Sequence, residues 1–241
     1  MDYYVIRPSL NQNIIGHYPQ VKEVKYKCHV WDEPKFVEHL HFEKANFQPI
    51  TANAVLYNKS KITDLIDVVG MGFTKKLLIS GKLKSIIQLY INDGVQFFQS
   101  GIYYKNTFIE DYWVMNTFNI NMDFIDFKRS NFVFRKRKNE GGTYIENTNI
   151  KSKEEFYSIL MKKKEYGYTQ FFIDKIKLLN NVEKDFFVLT HVEGGVKYVV
   201  SERLKNEIEN TKCTGLEFMP LGMRLTDWLQ GGAREKIYGK T

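Results

Sequence analysis

The chain has 241 residues, 43% hydrophobic and 15% aromatic with only 5 Pro, a balance that excludes disordered and low-complexity classes and suffices for a full core. No run approaches the roughly 20 apolar residues that a membrane-spanning helix requires, and the opening Met1-Asp2-Tyr3-Tyr4-Val5-Ile6-Arg7-Pro8 lacks the basic start and apolar centre of a secretory signal. The formal charge of +7, from 35 Lys and Arg against 28 Asp and Glu, favours an acidic partner without choosing among nucleic acid, an anionic membrane surface and protein.

Opposite charges are intermixed along most of the chain, so a solvated surface accounts for much of the excess. Cys28 and Cys213 are the only cysteines; a sparse pair in a chain of this length reads as two free thiols in a reducing compartment, which points to the cytoplasm.

In chain order, residues 3–6 read as a short, edge-like strand stopped by Pro8, and residues 24–31 alternate well enough for a second strand before Pro34. Ile62, Leu65, Ile66 and Val69 fall at i, i+3, i+4 and i+7, which predicts a helix over 61–69 ending at Gly70. Gly70-Met71-Gly72-Phe73-Thr74-Lys75 begins like a phosphate-cradling loop, but the third glycine is missing and a predicted helix precedes it, so a plain loop is expected.

Sliding the chain against itself by 121 residues aligns 76–98 with 197–219. Lys76, Ser80, Leu83, Lys84, Ile87, Gly94 and Phe97 meet Lys197, Ser201, Leu204, Lys205, Ile208, Gly215 and Phe218, seven identities in 22 positions. Each segment reads as strand, helix, strand: an apolar run, a serine at the helix N-cap, an apolar stripe, a glycine turn and a returning strand. Gly194-Gly195 precedes the second segment as a structural turn. The chain is therefore expected to be a single α+β domain over 1–241, with mixed sheets, a few helices and an internal pseudo-repeat of two strand-helix-strand units.

Residues 111–118 form a strand-like run rich in aromatic and β-branched side chains, and 130–137 another, with Phe132 and Phe134 on one face and Gly141-Gly142 beyond its end. Ser152 and Glu155 have capping-box spacing before an amphipathic segment that ends near Gly167. Residues 171–179 and 185–192 read as two strands joined by 180–184 in a hairpin. Past Leu221 the chain holds Trp228 but also Gly231-Gly232, and is expected to fray toward Thr241.

Little here has the pattern of a catalytic or metal site. His39-Leu40-His41, with Glu43 and Cys28-His29, matches no closed zinc spacing; on a strand, the two His rings would share a face. Ser80 and Ser201 lack a Gly-x-Ser-x-Gly elbow, and helix capping already explains them. Asp123 and Asp126 could share a helical face but have no defined pocket. No catalytic residue, metal or cofactor is assigned, and the chain is read as a binding protein and not an enzyme. An enzyme with dispersed residues is the third alternative, and it would need His39, His41 and Cys28 gathered about a metal. The candidate partner-binding residues are Lys128, Arg129, Arg135, Lys136, Arg137 and Lys138, the one dense basic block with aromatic neighbours, Phe127, Phe132 and Phe134. A nucleic-acid-binding module built on that block is the second alternative, and the alternating phenylalanines fit a core-facing strand better.

Tyr198-Val199-Val200-Ser201-Glu202-Arg203-Leu204-Lys205, followed by Thr214-Gly215-Leu216-Glu217-Phe218, resembles the closing signature of immunity family eleven of bacterial polymorphic toxin systems. Tyr3-Tyr4-Val5-Ile6, Leu77-Leu78-Ile79-Ser80, and Tyr112-Trp113 leading to Asp123, Asp126 and Ser130 are similar to the rest of its pattern. Gly81-Lys82 in the middle segment departs from the Glu202-Arg203 of the last one. The resemblance implies a small cytoplasmic protein, encoded beside a toxin, that protects its producer by binding that toxin, with no catalytic residues to carry over. Since a nucleic-acid mimic would be acidic and this chain is basic, the expected partner is a toxin with an acidic or neutral contact surface, not a membrane.

Overall fold

The computed structural model describes residues 2–68 and 76–240; the glycine-rich segment 70–75 lies outside them. Among the described residues the strands are β1 (Tyr3–Pro8), β2 (Val21–Lys25), β3 (Asn53–Leu56), β4 (Leu65–Ile66), β5 (Leu77–Ser80), β6 (Val95–Gln99), β7 (Ile102–Tyr104), β8 (Thr107–Ile109), β9 (Tyr112–Thr117), β10 (Asn131–Arg137), β11 (Thr143–Thr148), β12 (Gln170–Lys175), β13 (Phe186–Val192), β14 (Gly195–Ser201) and β15 (Leu216–Pro220). The helices are α1 (Gln12–Ile15), α2 (Gly81–Tyr90), α3 (Lys153–Met161), α4 (Lys163–Tyr166), α5 (Glu202–Asn210), α6 (Leu225–Gln230) and α7 (Ala233–Tyr238). The class is α+β, as the sequence predicts.

A seven-stranded sheet runs β11-β10-β12-β13-β14-β1-β15, and two four-stranded sheets run β4-β5-β9-β6 and β2-β3-β7-β8. Successive side chains of a strand point to opposite faces, and here both faces of the central strands are covered. Phe187 and Leu189 of β13 enter a core with Phe132, Phe156 and Phe171, while Phe186 and Val188 enter a second with Leu83, Ile87, Leu204 and Ile208. Leu78 of β5 faces a third, with Ala54, Ile102 and Val114, while Ile79 shares the helix-lined core. Strands buried on both sides read as unbroken apolar runs, which is why β13 and β14 stand out in the sequence.

Residues 76–98 and 197–219 both fold as strand, helix, strand. Ser80 Oγ accepts from Leu83 N and Ser201 Oγ from Leu204 N, each at 3.2 Å. Gly94 and Gly215 turn the chain back at φ +95° and +82°, values that cost glycine nothing. Within each unit the two strands do not touch: β9 lies between β5 and β6, and β1 lies between β14 and β15, antiparallel to both flanking strands. Trp113 sits opposite Ile79 and Gln99, as Tyr4 sits opposite Val200 and Pro220. β1 is therefore an interior strand and not the edge that Pro8 suggests; proline at its last position interrupts little of the ladder.

Each capping serine also binds an aspartate sixteen residues earlier. Ser80 Oγ donates to Asp64 Oδ1 at 2.6 Å and Ser201 Oγ to Asp185 Oδ1 at 2.5 Å; in both cases the serine N–H donates to that aspartate's carbonyl at 2.8 Å. Burial pushes the Asp185 carboxyl up, but hydrogen bonds from Arg203 and Ser201 outweigh it and hold the group below the usual carboxylate range.

Several predicted elements change. Residues 61–69 are not helical where described: Leu65 and Ile66 pair as β4 with Ile79 and Leu78, and both are fully buried while Ile62 is exposed. A strand covered on both faces and a one-faced helix share this short apolar spacing, and the sheet wins because Asp64 is tied to Ser80. The second strand lies earlier, at Val21–Lys25, leaving 26–31 outside any strand. The expected hairpin of 171–179 with 185–192 does not form: β12 and β13 are parallel, meeting at Ile173 and Val192, because Leu178 bridges to Ile125 and draws the connection away. The hairpin is instead β13–β14, turned by Glu193 and Gly194 at positive φ, which places the glycine pair in the turn expected of it. The helix over 152–167 is divided at Lys162 into α3 and α4, with Ser152 and Gly167 at its predicted ends.

The C-terminal segment through Tyr238 is docked and not frayed. Arg234 donates through Nε and Nη2 to Glu217 at 2.7 and 2.6 Å, both side chains almost fully buried, and Glu217 also accepts from Ser9 Oγ and Leu10 N. Trp228 is buried with its ring against Tyr238, and Tyr238 Oη accepts from Phe218 N of β15 at 2.8 Å. Removing one member of a buried ion pair leaves the other uncompensated. Glu217→Gln should lower unfolding free energy by about 3–5 kcal/mol in urea titrations, and pairing it with Arg234→Met should recover most of that loss.

The Asp185 joint has a pH signature. Its native pKa lies below the unfolded value of about 3.9, so its stabilisation is fully present above that value and is lost as pH falls through the native one. Urea midpoints measured from neutral pH into the acid range should fall more steeply for the natural protein than for Asp185→Asn.

Candidate partner-binding site

The six basic candidates do not form one patch. Lys128 and Arg129 precede β10 and Arg135, Lys136, Arg137 and Lys138 close it, so residues 130–134, mostly extended, hold Arg129 and Arg135 about 20 Å apart along the chain. Arg129 is committed locally: its Nε donates to Asp126 Oδ2 at 2.5 Å, and Nη2 reaches the Leu178 carbonyl and Asn180. At the far end Arg135 donates to Gln170 at 2.9 Å and lies over the Phe172 ring, and Lys136 pairs with Glu146 at 3.0 Å. Lys128, Arg137 and Lys138 are exposed and make no ion pair among the described residues.

Phe127, Phe132 and Phe134 belong to the core, where they pack with Phe156, Phe171 and Tyr168. Their rings are unavailable to stack on bases, which removes the aromatic half of a single-strand platform. Beside Arg135–Lys138, β11 forms the outer edge of the seven-stranded sheet, and Tyr144 and Ile145 on it are exposed. An edge of this kind combines unpaired backbone groups with apolar contact area next to exposed positive charge. The sequence reading missed that edge, although Thr143-Tyr144-Ile145 after the Gly141-Gly142 turn is a β-rich run.

His39 ends a short 3₁₀ turn (Val37–His39) instead of alternating with His41 on a strand, and its Nε2 lies 2.9 Å from the Val30 carbonyl. His29 Nδ1 is 2.7 Å from Asp32 on an exposed loop. Among the described residues no three His, Cys, Asp or Glu side chains come together as metal ligands. Cys28 and Cys213 are free, and burial pushes both thiols up, away from the reactive thiolate. Asp123 and Asp126 go to different partners, Lys153 and Arg129.

A second surface feature lies at the start of β13, the middle strand of the seven-stranded sheet. A cavity of about 340 Å³ opens between the turn that follows α2, Ile91 to Gly94, and the start of β13, with Asn119, Asn121 and Arg203 on its walls. Arg203 donates through Nε and Nη2 to the two Asp185 oxygens and lies over the Tyr90 ring. Sequence reasoning did not find Asp185; the signal was available, because Asp64 and Asp185 keep the same offset of 121 as the serines they bind.

No helix among the described residues is long and apolar enough to cross a membrane. No curated protein matches the chain. A family model described as the Immunity protein family (Imm11) matches residues 2–223, nearly the whole chain and both strand-helix-strand units. This chain belongs to the Imm11 immunity protein family.

Proposed function

We propose that this protein is a bacterial immunity protein that binds a cognate toxin in the cytoplasm of the producing cell and neutralises it by stoichiometric protein–protein contact, without catalysis. Membership of the Imm11 family over residues 2–223 carries this reading. The free cationic groups at the end of β10, Arg137 and Lys138, with Arg135 and Lys136 beside them, are proposed as one contact surface, together with the exposed edge of β11. Lys128 and Arg129 form a separate patch at the opposite end of that strand.

A partner surface that is acidic or neutral complements the net charge of +7, and such complementarity acts mainly on association rate. Protein is preferred over nucleic acid as partner because the phenylalanines interleaved with the basic block are core side chains.

The test is growth of cells expressing the toxin encoded beside this chain, alone and with the chain. Growth should be restored by the natural protein. In purified form, the Arg135→Glu, Arg137→Glu, Lys138→Glu variant should associate about tenfold or more slowly at low salt, with the difference shrinking as salt rises. Failure of the natural protein to restore growth would falsify the assignment.

A further inference from the structure

The two strand-helix-strand units share more than their outline. Gly81 N donates to the Asp111 carbonyl as Glu202 N does to Asp2, and Phe118 N donates to the Gly94 carbonyl as Ser9 N does to Gly215. Asp111-Tyr112-Trp113-Val114-Met115 and Asp2-Tyr3-Tyr4-Val5-Ile6 thus occupy matching positions in the two units. Helices α2 and α5 pack together, so the turn after each helix faces the other unit.

The two facing joints nevertheless differ. Where the turn after α5 meets β4, the joint is closed: Thr214 O accepts from the N–H groups of Asp64 and Leu65 at 3.0 and 3.2 Å, and Thr214 N donates to Asp64 Oδ2 at 2.8 Å. Lys82 Nζ seals its rim on the Lys212 carbonyl. Gly215 sits so close that a Cβ there would overlap the Leu65 carbonyl and Thr63.

At the matching place the turn after α2 stands back from β13. Among the described residues no hydrogen bond joins that turn to Asp185 or Phe186, and the atoms nearest a Cβ on Gly94 belong to Asn119, not to β13. The 340 Å³ cavity fills the interval, a volume within the range of ligand sites. Phe186 faces Val200 as Leu65 faces Ile79. That matching register turns the Phe186 N–H the same way, away from its hairpin partner and toward the cavity. Along this edge of β13, Asn121 N donates to the Val188 carbonyl and Asn121 Oδ1 accepts from Val188 N. Arg203, at the position of Lys82, takes the Asp185 oxygen that Thr214 takes on Asp64, and its side chain is 65% exposed, so an incoming N–H can compete for that oxygen.

We propose that this cavity is a docking site for a glycine-containing turn of a protein partner, which enters carbonyl-first against the start of β13 as residues 213–215 do against β4. The closed joint shows the chemistry of the occupant: a carbonyl for the Phe186 N–H, a backbone N–H for the aspartate, and no Cβ at the point of closest approach. The identity of the partner as toxin rests on the proposed function; the site does not.

The probe is a cyclised peptide of sequence Thr-Lys-Ser-Thr-Gly-Leu, copied from residues 211–216 with serine in place of cysteine, titrated into the full chain by amide NMR. Saturable shifts confined to 92–95 and 185–188 are expected. Asn119→Trp and Asn92→Trp, which add bulk at exposed positions on the cavity wall, should each weaken binding about tenfold while leaving distant amides unchanged. Shifts that are absent, spread over the surface, or unaffected by both variants overturn the site and leave the immunity reading standing. Docking of the peptide by a chain that fails to restore growth against its toxin would instead separate the site from that reading.

Discussion

The structure depends on a gap that each strand-helix-strand unit cannot fill for itself. Strands β5 and β6 run the same way with room for one strand between them, as do β14 and β15, since neighbouring strands sit about 4.8 Å apart and these lie two spacings apart. Without an insert, the backbone groups on both inner edges would be buried and unpaired, a cost that native proteins avoid. β9 fills one gap from the chain just after its unit. β1 fills the other from almost the full length of the chain away, with Ile6 opposite Phe218 and Val5 opposite Val199. The N-terminus and the last third of the chain therefore fold together, and the Glu217–Arg234 pair, which also holds Ser9 and Leu10, locks that closure.

A scaffold of this kind suits an inhibitor. Rigid strands buried on both faces hold the surface features in place, and preorganisation limits the ordering cost of binding. The exposed features fall at strand boundaries: the β11 edge with Arg135–Lys138, and the cavity at the start of the central strand β13. Neither resembles a catalytic centre. The perturbed groups near the cavity, Asp185 and Arg203, spend their charge on each other and on the helix-capping Ser201. Their pairing reads as a joint between units, with Arg203 as its exposed half.

What the sequence revealed followed from local chemistry. The serine caps, the glycine turns and the apolar runs of 76–98 and 197–219 need only neighbours in the chain, and they fell where expected. Strands 112–117 and 131–137 were equally legible from their composition. Misreadings came from long-range pairing. Residues 62–66 carry a helical spacing that the ladder with β5 overrides, and residues 171–192 look like a hairpin until Leu178 is seen to pair with Ile125. Pro8 made β1 look like an edge because the two strands that enclose it lie about 200 residues downstream. The short hairpin β7–β8, turned by Lys105 and Asn106 at positive φ, carried no glycine to announce it. On the candidate surface, the basic block was visible but its division by the length of β10 was not, since a strand spreads over about 20 Å what a sequence shows as one cluster.

The central claim is that this chain neutralises its partner by remaining bound to it. The most direct measurement is a titration of the purified toxin's activity with the purified protein, followed by native mass measurement of the mixture. The account predicts an activity that falls linearly to zero at equimolar protein, with both chains intact and unmodified in a single complex. Loss of toxin activity at a small fraction of equivalence, or a toxin left covalently altered after the protein is removed, would contradict it and make this chain an enzyme.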